Sequence, residues 1–236
     1  HMAAVFDGGL PVSRTSLLPQ YKAQRPPMPE PLRHQMTLIR EYLALSGVPT
    51  VRQEGEESDD VLATLADRAA ADGASVLIAS GDKDLLQLVG ERVRVVRPDM
   101  PDTTVDRDGV VRMLGVPPDR VPELLALMGD AVDNVPGVRG VGLKTAQRIL
   151  SSVTSLDEVW RKLDELVPPG LRERLRAARP QVERNLDIVR LHRNVPGVPP
   201  WTELRPQPGH SEALRTFLLR LGLRSLYPRS EQMELF

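Results

Sequence analysis

"VPTVRQEGEESDDVLATLADRAAADGASVLIASGDKD", residues 48–84, passes from a short β-prone segment through an acidic, alanine-rich stretch into the apolar run "SVLIAS" (75–80), which stops at two aspartates. A strand, a helix and a buried-type strand in succession predict a β-α-β unit with parallel strands. Toward the N-terminus, "AAVF" (3–6) reads as another strand. "PLRHQMTLIREYLALSG" (31–47) has helical periodicity and is ended by Gly47. Toward the C-terminus, "RVRVVRP" (92–98) supplies a further strand. The expected fold class is therefore α/β, a mainly parallel sheet with helices on both faces, spanning residues 1–106. From about residue 107 the pattern turns helical, with "DRVPELLALMGD" (119–130) and "VGLKTAQRILSSV" (141–153) joined by a glycine-rich turn. Residues 107–236 are read as a helical region closed by a tail at 228–236.

Composition removes several classes of chemistry. The chain has 236 residues, 41% hydrophobic and 27% charged, enough to bury a core. It has no cysteine, which excludes disulfides, a thiolate nucleophile and Cys-ligated zinc, and its four histidines show no ligand spacing. A reducing cytoplasm fits that composition. No apolar run approaches the ~18 residues of a membrane span, and no signal-peptide pattern opens the chain. His1-Met2 reads as a cloning scar. The net charge of −1 is unevenly spread. Residues 1–160 carry 17 basic and 23 acidic residues, whereas residues 161–236 carry 14 and 9. An acidic site in the first part and a polyanion-tolerant face in the second would give that split; ordinary solvated, Arg-rich helices would give it equally.

In open parallel sheets, ligands sit at the carboxyl ends of strands. Asp7 follows "AVF", and Asp82 and Asp84 follow "LIAS". The acidic helix, with Glu57, Asp59 and Asp60 in or before its first turn, begins at the same edge, and Asp130 and Asp133 follow the helix of residues 119–130. Asp59 shares a helix face with Leu62 and Ala66, an unusual place for an acid. One acidic cluster has an ordinary explanation, since acids in a first turn meet the helix dipole for about 0.3–1 kcal/mol each, with Ser58 or an Asp as N-cap. Eight carboxylates at one edge repel one another unless cations lie between them. Oxygen-only ligation suits Mg²⁺ or Mn²⁺, and two such ions can flank a scissile phosphate.

Two further stretches suggest an anionic polymer. In "VPGVRGVGLKTAQRIL" (135–150), the turn carrying Gly137, Val138, Gly140 and Gly142 leads to Lys144 and Thr145 at a helix start, where backbone N–H groups can meet phosphate. Leu143 separates Gly142 from Lys144, so this is no P-loop; a plain helix connection is the competing reading. "SRTSLLPQYKAQRPP" (13–27) offers Arg14, Tyr21, Lys22 and Arg25. There Lys22 and Arg25 would share a helical face and Tyr21 could stack on a base, although an ordinary surface loop would look similar.

The ordered set "FDGG" (6–9), "SR" (13–14), "QYKAQR" (20–25), "EESDDVLATLA" (56–66), "IASGDKDLLQLV" (78–89) and "LMGDAVDNVPGVRGVGLKTAQRIL" (127–150) resembles the bacterial 5′-nuclease family. That family comprises the flap endonuclease and 5′→3′ exonuclease domain found at the front of DNA polymerase I. The resemblance covers essentially the whole chain. It implies a PIN-like core, a helical arch over about 8–30 and a helix-three-turn-helix over about 118–150. It also implies a structure-specific, metal-dependent nuclease acting at 5′-flaps, nicks and primer junctions in replication and repair. By motif it assigns Asp7, Glu57, Asp59, Asp60, Asp82, Asp84, Asp130 and Asp133 to metal ions. Lys22 and Arg25 fall to the reacting phosphate, and Arg14, Tyr21 and residues 137–145 to DNA, with a K⁺ ion at the turn. The family's usual first strand, ending in an Asp-Gly-Asn-like motif, has no counterpart here, so a DNA-junction binder that has lost catalysis is the alternative expectation. Because the sequence stops at residue 236, a free-standing, monomeric, nucleoid-associated nuclease is expected. Finally, Gln232, Leu235 and Phe236 in "EQMELF" resemble peptides that dock bacterial sliding clamps.

Overall fold

A computed structural model describes residues 1–226; the clamp-peptide residues Gln232, Leu235 and Phe236 lie outside them. The chain opens with strand β1 (Ala4–Phe6), a short helix α1 (Val12–Leu17) and a long helix α2 (Glu30–Leu45). Gly47, at φ 70°, turns the chain away from α2 as its position predicts. Strand β2 (Thr50–Arg52) pairs parallel with β1, placing Phe6 opposite Arg52. Helix α3 (Ser58–Ala71) leads to β3 (Val76–Ala79), which pairs parallel with β4 (Val93–Arg97). The strands flanking α3, β2 and β3, do not pair with each other as the β-α-β reading of residues 48–84 expected; each pairs parallel with a different strand. β1 and β2 form one sheet, while β3, β4 and β5 (Met100–Val105) form another.

β5 lay inside a stretch with no sequence-predicted strand. "MPDTTV" carries proline and aspartate, poor strand formers. It pairs antiparallel with β4 because Arg97 and Asp99 close a tight turn through two 3.0 Å hydrogen bonds. It is an edge strand, where low propensity is tolerated.

Helix α3 bridges the two sheets. Its alanine-rich sequence favours helix and permits close approach on more than one side. Ala63 and Ala66 enter the main core beside Ile78 and Val95, whereas Val61 and Leu65 pack with Val51, Val195 and Val198 in a second cluster.

The remaining helices are α4 (Arg107–Leu114), α5 (Val121–Met128), α6 (Leu143–Ser151), α7 (Leu156–Arg161), α8 (Leu163–Leu166), α9 (Pro169–Val189) and α10 (Ser211–Arg220). Leu124, Leu125 and Leu127 of α5 are buried and join residues from Leu18 to Leu191 in one cluster. Each such leucine contributes roughly 1.5–3 kcal/mol by leaving water. The α/β part and the helical part thus share a core. α2 buries no residue fully; it leans Leu38, Tyr42 and Leu45 on Leu214, Phe217 and Leu218 of α10.

The segment expected as a helical arch is not one continuous helix. After α1, residues 19–24 form turns, and Lys22 stands at φ 55°, which a helix does not allow. Lys22 and Arg25 therefore share no helical face. Long-range bonds set the conformation: Lys22 N donates to Asp133 O at 3.0 Å, Gln24 donates to Ala131 O, and Asn134 donates to Gln20 O.

Candidate metal centre and nucleic-acid interface

The end of β1 is tied to the start of α3 by a position where only glycine fits. A Cβ on Gly8 would lie 1.5 Å from Gln53 O. Without it, Gly8 N donates to Glu56 O and Gly55 N to Gly8 O. The approach brings Asp7 to the helix mouth, where its carboxylate accepts the Ser58 N–H at 2.9 Å. Glu57 is the N-cap residue but its side chain makes no cap bond, leaving it to face inward.

One pocket gathers Glu57 and Asp59 from the α3 start, Asp84 after β3, and Asp130 and Asp133 after α5, together with Tyr21 and Lys22. Carboxylate oxygens of Asp84, Asp130 and Asp133 lie within 4.8 Å of one another. Asp82 accepts the Asp84 N–H at 2.9 Å, fixing the loop after β3. Burial, then the charges of Asp82 and Glu57, push Asp59 up to about 7. Burial and Asp82 do the same to Asp84, whose Oδ1 is buried without a hydrogen-bond partner. These are the marks of carboxylates held closer than their charge allows, and a divalent cation among them relieves that repulsion. The donor set, oxygen throughout, fits such an ion.

Two lysines partly neutralise the acids. Lys22 makes a short ion pair with Glu57 and lies 3.5 Å from Asp133. Lys83, which the sequence reading passed over, donates to Asp130 at 2.7 Å and lies 3.8 Å from Asp84. Burial opposes its charge, but the bond to Asp130 and the nearby acids outweigh that and raise its pKa. Its place between two acids in "GDKD" was the available signal. Arg25 reaches Asp133 at 2.5 Å and is nearly half exposed.

Four expected roles change; besides Asp60, Arg14 and Tyr21, Val138, expected on DNA, is 4% exposed and donates its N–H to Leu127 O. Asp60 was grouped with the metal carboxylates, yet it is fully buried and both oxygens face Arg14, while Oδ1 also accepts the His192 N–H. Ligand atoms of Glu56, Asp60 and His192 do lie within 4.8 Å of one another, but the guanidinium already occupies Asp60. Arg14, expected on DNA, is 2% exposed. Tyr21, expected to stack on a base, is 4% exposed, and its one hydroxyl proton is shared between Glu57 Oε2 at 3.0 Å and Asp133 Oδ2 at 3.1 Å. Burial first, then the Glu57 and Asp133 charges, hold its phenol far above the ordinary range. Of the other seven acids, Glu57, Asp59, Asp84, Asp130 and Asp133 line the one pocket, while Asp82 and Asp7 stand outside its lining and add to the charge felt by Asp59.

The glycine turn between α5 and α6 is equally constrained. A Cβ on Gly137 would lie 2.0 Å from Met128 O, and Val138 N donates to Leu127 O, so the turn folds back on α5. Asp130 and Val135 form a small antiparallel bridge that presents Asp130 to the acidic pocket. Beyond it, Gly140 and Lys144 are exposed, Thr145 is half-buried, and Gly142 has open space where a side chain would stand. No helix among the described residues is long and apolar enough to cross a membrane.

Comparison with known proteins places these features. The 5′-3′ exonuclease N-terminal resolvase-like domain matches residues 1–115, and the 5′-3′ exonuclease C-terminal SAM fold matches residues 116–212. A 5′-3′ exonuclease of Aquifex aeolicus is 40% identical over 195 residues, covering 81% of this chain and 65% of that protein. A thermostable DNA polymerase I of Thermus filiformis is 37% identical over 225 residues, covering 95% of this chain and 27% of the polymerase. The chain thus spans just under two thirds of the first and about a quarter of the second. The crystal structure of T5 D15 protein co-crystallized with metal ions superposes with a TM-score of 0.69 at 25% identity, over 80% of this chain and 74% of that one. The catalytic core of Rad2 with a DNA substrate shares the fold alone, with a TM-score of 0.60 at 20% identity, over 92% and 73% of the two chains. With both domains matched in order and the acidic residues gathered at one pocket, this chain belongs to the 5′-3′ exonuclease family.

Proposed function

We propose that the protein is a divalent-metal-dependent 5′ nuclease that hydrolyses DNA phosphodiesters at 5′-flaps, nicks and single-strand/double-strand junctions. The observation that carries this reading is the convergence of carboxylates from three separate chain segments, Glu57 with Asp59, Asp84, and Asp130 with Asp133, on one pocket that also holds Lys22. Asp84, Asp130 and Asp133, with Asp59, Asp82, Glu57 and Asp7 around them, are the residues to hold Mg²⁺ or Mn²⁺. Divalent ions held by these residues would supply the Lewis acidity to activate water and the charge to steady the leaving oxygen. Lys22 is placed to meet the reacting phosphate, exchanging its carboxylate partners for a phosphate oxygen. Arg25, more exposed, draws the strand toward it. Tyr21 keeps its proton and holds Glu57 and Asp133 in place. Gly140 and Gly142 of the turn, with Lys144 and Thr145 after them, offer N–H groups and a positive charge to duplex backbone without reading sequence, and the turn's carbonyls suit a K⁺ ion. A DNA substrate of this kind is met on the nucleoid, and the "EQMELF" tail is the segment to test against a sliding clamp.

Cleavage of a labelled 5′-flap duplex with Mg²⁺ or Mn²⁺ tests the proposal. The expected result is a 5′-phosphorylated product, lost in Asp82→Asn while junction binding persists. Junction binding with no cleavage in either metal would instead make the protein a binder without catalysis.

A further inference from the structure

The sequence reading put Arg14 on DNA, and the fold buries it. Its guanidinium uses every face. Nε donates to Ile188 O at 2.7 Å and Nη2 to Arg190 O at 3.3 Å, capping carbonyls at the end of α9. Nη2 donates to Asp60 Oδ1 at 2.8 Å, and Nη1 forms a short ion pair with Asp60 Oδ2. Nη1 also reaches Glu57 Oε2 at 2.7 Å. The planar fork has a fixed geometry, so anchoring one side on Asp60 and α9 dictates where the other side holds Glu57. Glu57 in turn accepts the Tyr21 hydroxyl at 3.0 Å on that same oxygen and pairs with Lys22 through Oε1.

We infer that Arg14 is a positioning residue: braced by Asp60 and the end of α9, it aims Glu57 into the acidic pocket and thereby sets Lys22. Asp60 serves the brace and is not an ion ligand. This inference rests on the proposed metal-dependent nuclease. A purely structural ion pair would contribute to stability alone and leave ion binding untouched once the chain is folded. A brace makes a different demand, because lysine keeps the charge but lacks the fork, and so cannot hold Asp60 and Glu57 together.

The test uses the full chain, with Mn²⁺ binding followed by electron paramagnetic resonance and flap cleavage measured at saturating Mn²⁺. Circular dichroism first fixes a temperature at which each variant is folded. For Arg14→Lys we expect Mn²⁺ affinity to fall about 10–100-fold, the range typical of lost partners behind metal ligands. kcat should fall while KM for the flap duplex stays within about twofold. Asp60→Asn, which retains an oxygen for the His192 N–H, should loosen Mn²⁺ in the same direction with the number of bound ions unchanged. Should Arg14→Lys fail to fold, Asp60→Asn alone decides. Parental Mn²⁺ affinity in the folded variants overturns the brace, as does loss of a bound ion in Asp60→Asn. A parent protein that binds no Mn²⁺ and cuts nothing overturns the nuclease reading and the brace together.

Discussion

Asp7 and Ser58 stand 51 residues apart in the chain, yet the carboxylate of one accepts the backbone N–H of the other at 2.9 Å. A strand end thereby supplies the cap that α3 does not supply for itself, since neither Glu57 nor Ser58 makes a side-chain cap bond to that N–H. The same carboxylate belongs to the acidic group. Replacing it should affect stability and chemistry separately. In metal-free buffer, Asp7→Ala should lose about 1 kcal/mol of unfolding free energy, as for a lost N-cap, read from urea denaturation. Asp7→Asn keeps an oxygen for Ser58 and should retain most of that stability while still lowering flap cleavage. Equal destabilisation by both variants would contradict the cap.

Gly8 and Gly142 make opposite predictions. At Gly8 a methyl would overlap Gln53 O, so Gly8→Ala must push the loop before α3 away and should cost about 3 kcal/mol, the upper range for overpacking. Gly142 has φ −95° and nothing within 4 Å of an added Cβ. Gly142→Asp should fold with an unchanged melting temperature yet bind duplex more weakly, the loss growing at low salt because a carboxylate then faces phosphate. Unchanged duplex binding would remove the turn from the interface.

Lys22→Ala should lower kcat by about 10²-fold, on the scale of removing one preorganised charge from a reacting centre, with flap-duplex affinity within a few-fold of the parent. Single-turnover rates at saturating substrate are the measurement. A rate equal to that of the parent would take Lys22 out of the chemistry.

Asp59 and Asp84, each pushed up to about 7, also link stability to pH in the absence of metal. Both carboxyls bind their protons more tightly folded than unfolded. Their contribution is therefore complete below about pH 4 and is lost as pH rises through about 7. In EDTA, the melting temperature should decline between pH 5 and pH 8. Asp84→Asn should flatten that decline, by a few degrees at roughly 2–4 °C per kcal/mol for a chain of this size. Mn²⁺ should restore stability at pH 8 by mass action. A decline as steep in Asp84→Asn would assign the pH dependence elsewhere.

The carboxylate group was legible because its members follow strand and helix ends, where position along the chain predicts position in space. Asp59 was marked further by its apolar helix face. Arg14 and Tyr21 were misread for a physical reason. A basic or aromatic residue in a proline-rich stretch looks like surface, and what buries Arg14 is a pair of backbone carbonyls 174 and 176 residues later. No local periodicity encodes that meeting. The helical arch failed similarly, because bonds from residues 131–134 decide the conformation of residues 19–25 against local helical spacing. β5 escaped because an edge strand is held by its hairpin partner more than by its own residue types.

The division of the strands into two sheets has a mechanical consequence. Asp7 rides on the β1 half, Asp82 and Asp84 ride on the β3 half, and α3 is the splint across the seam. A cation drawing those carboxylates together would therefore pull on both sheets at once.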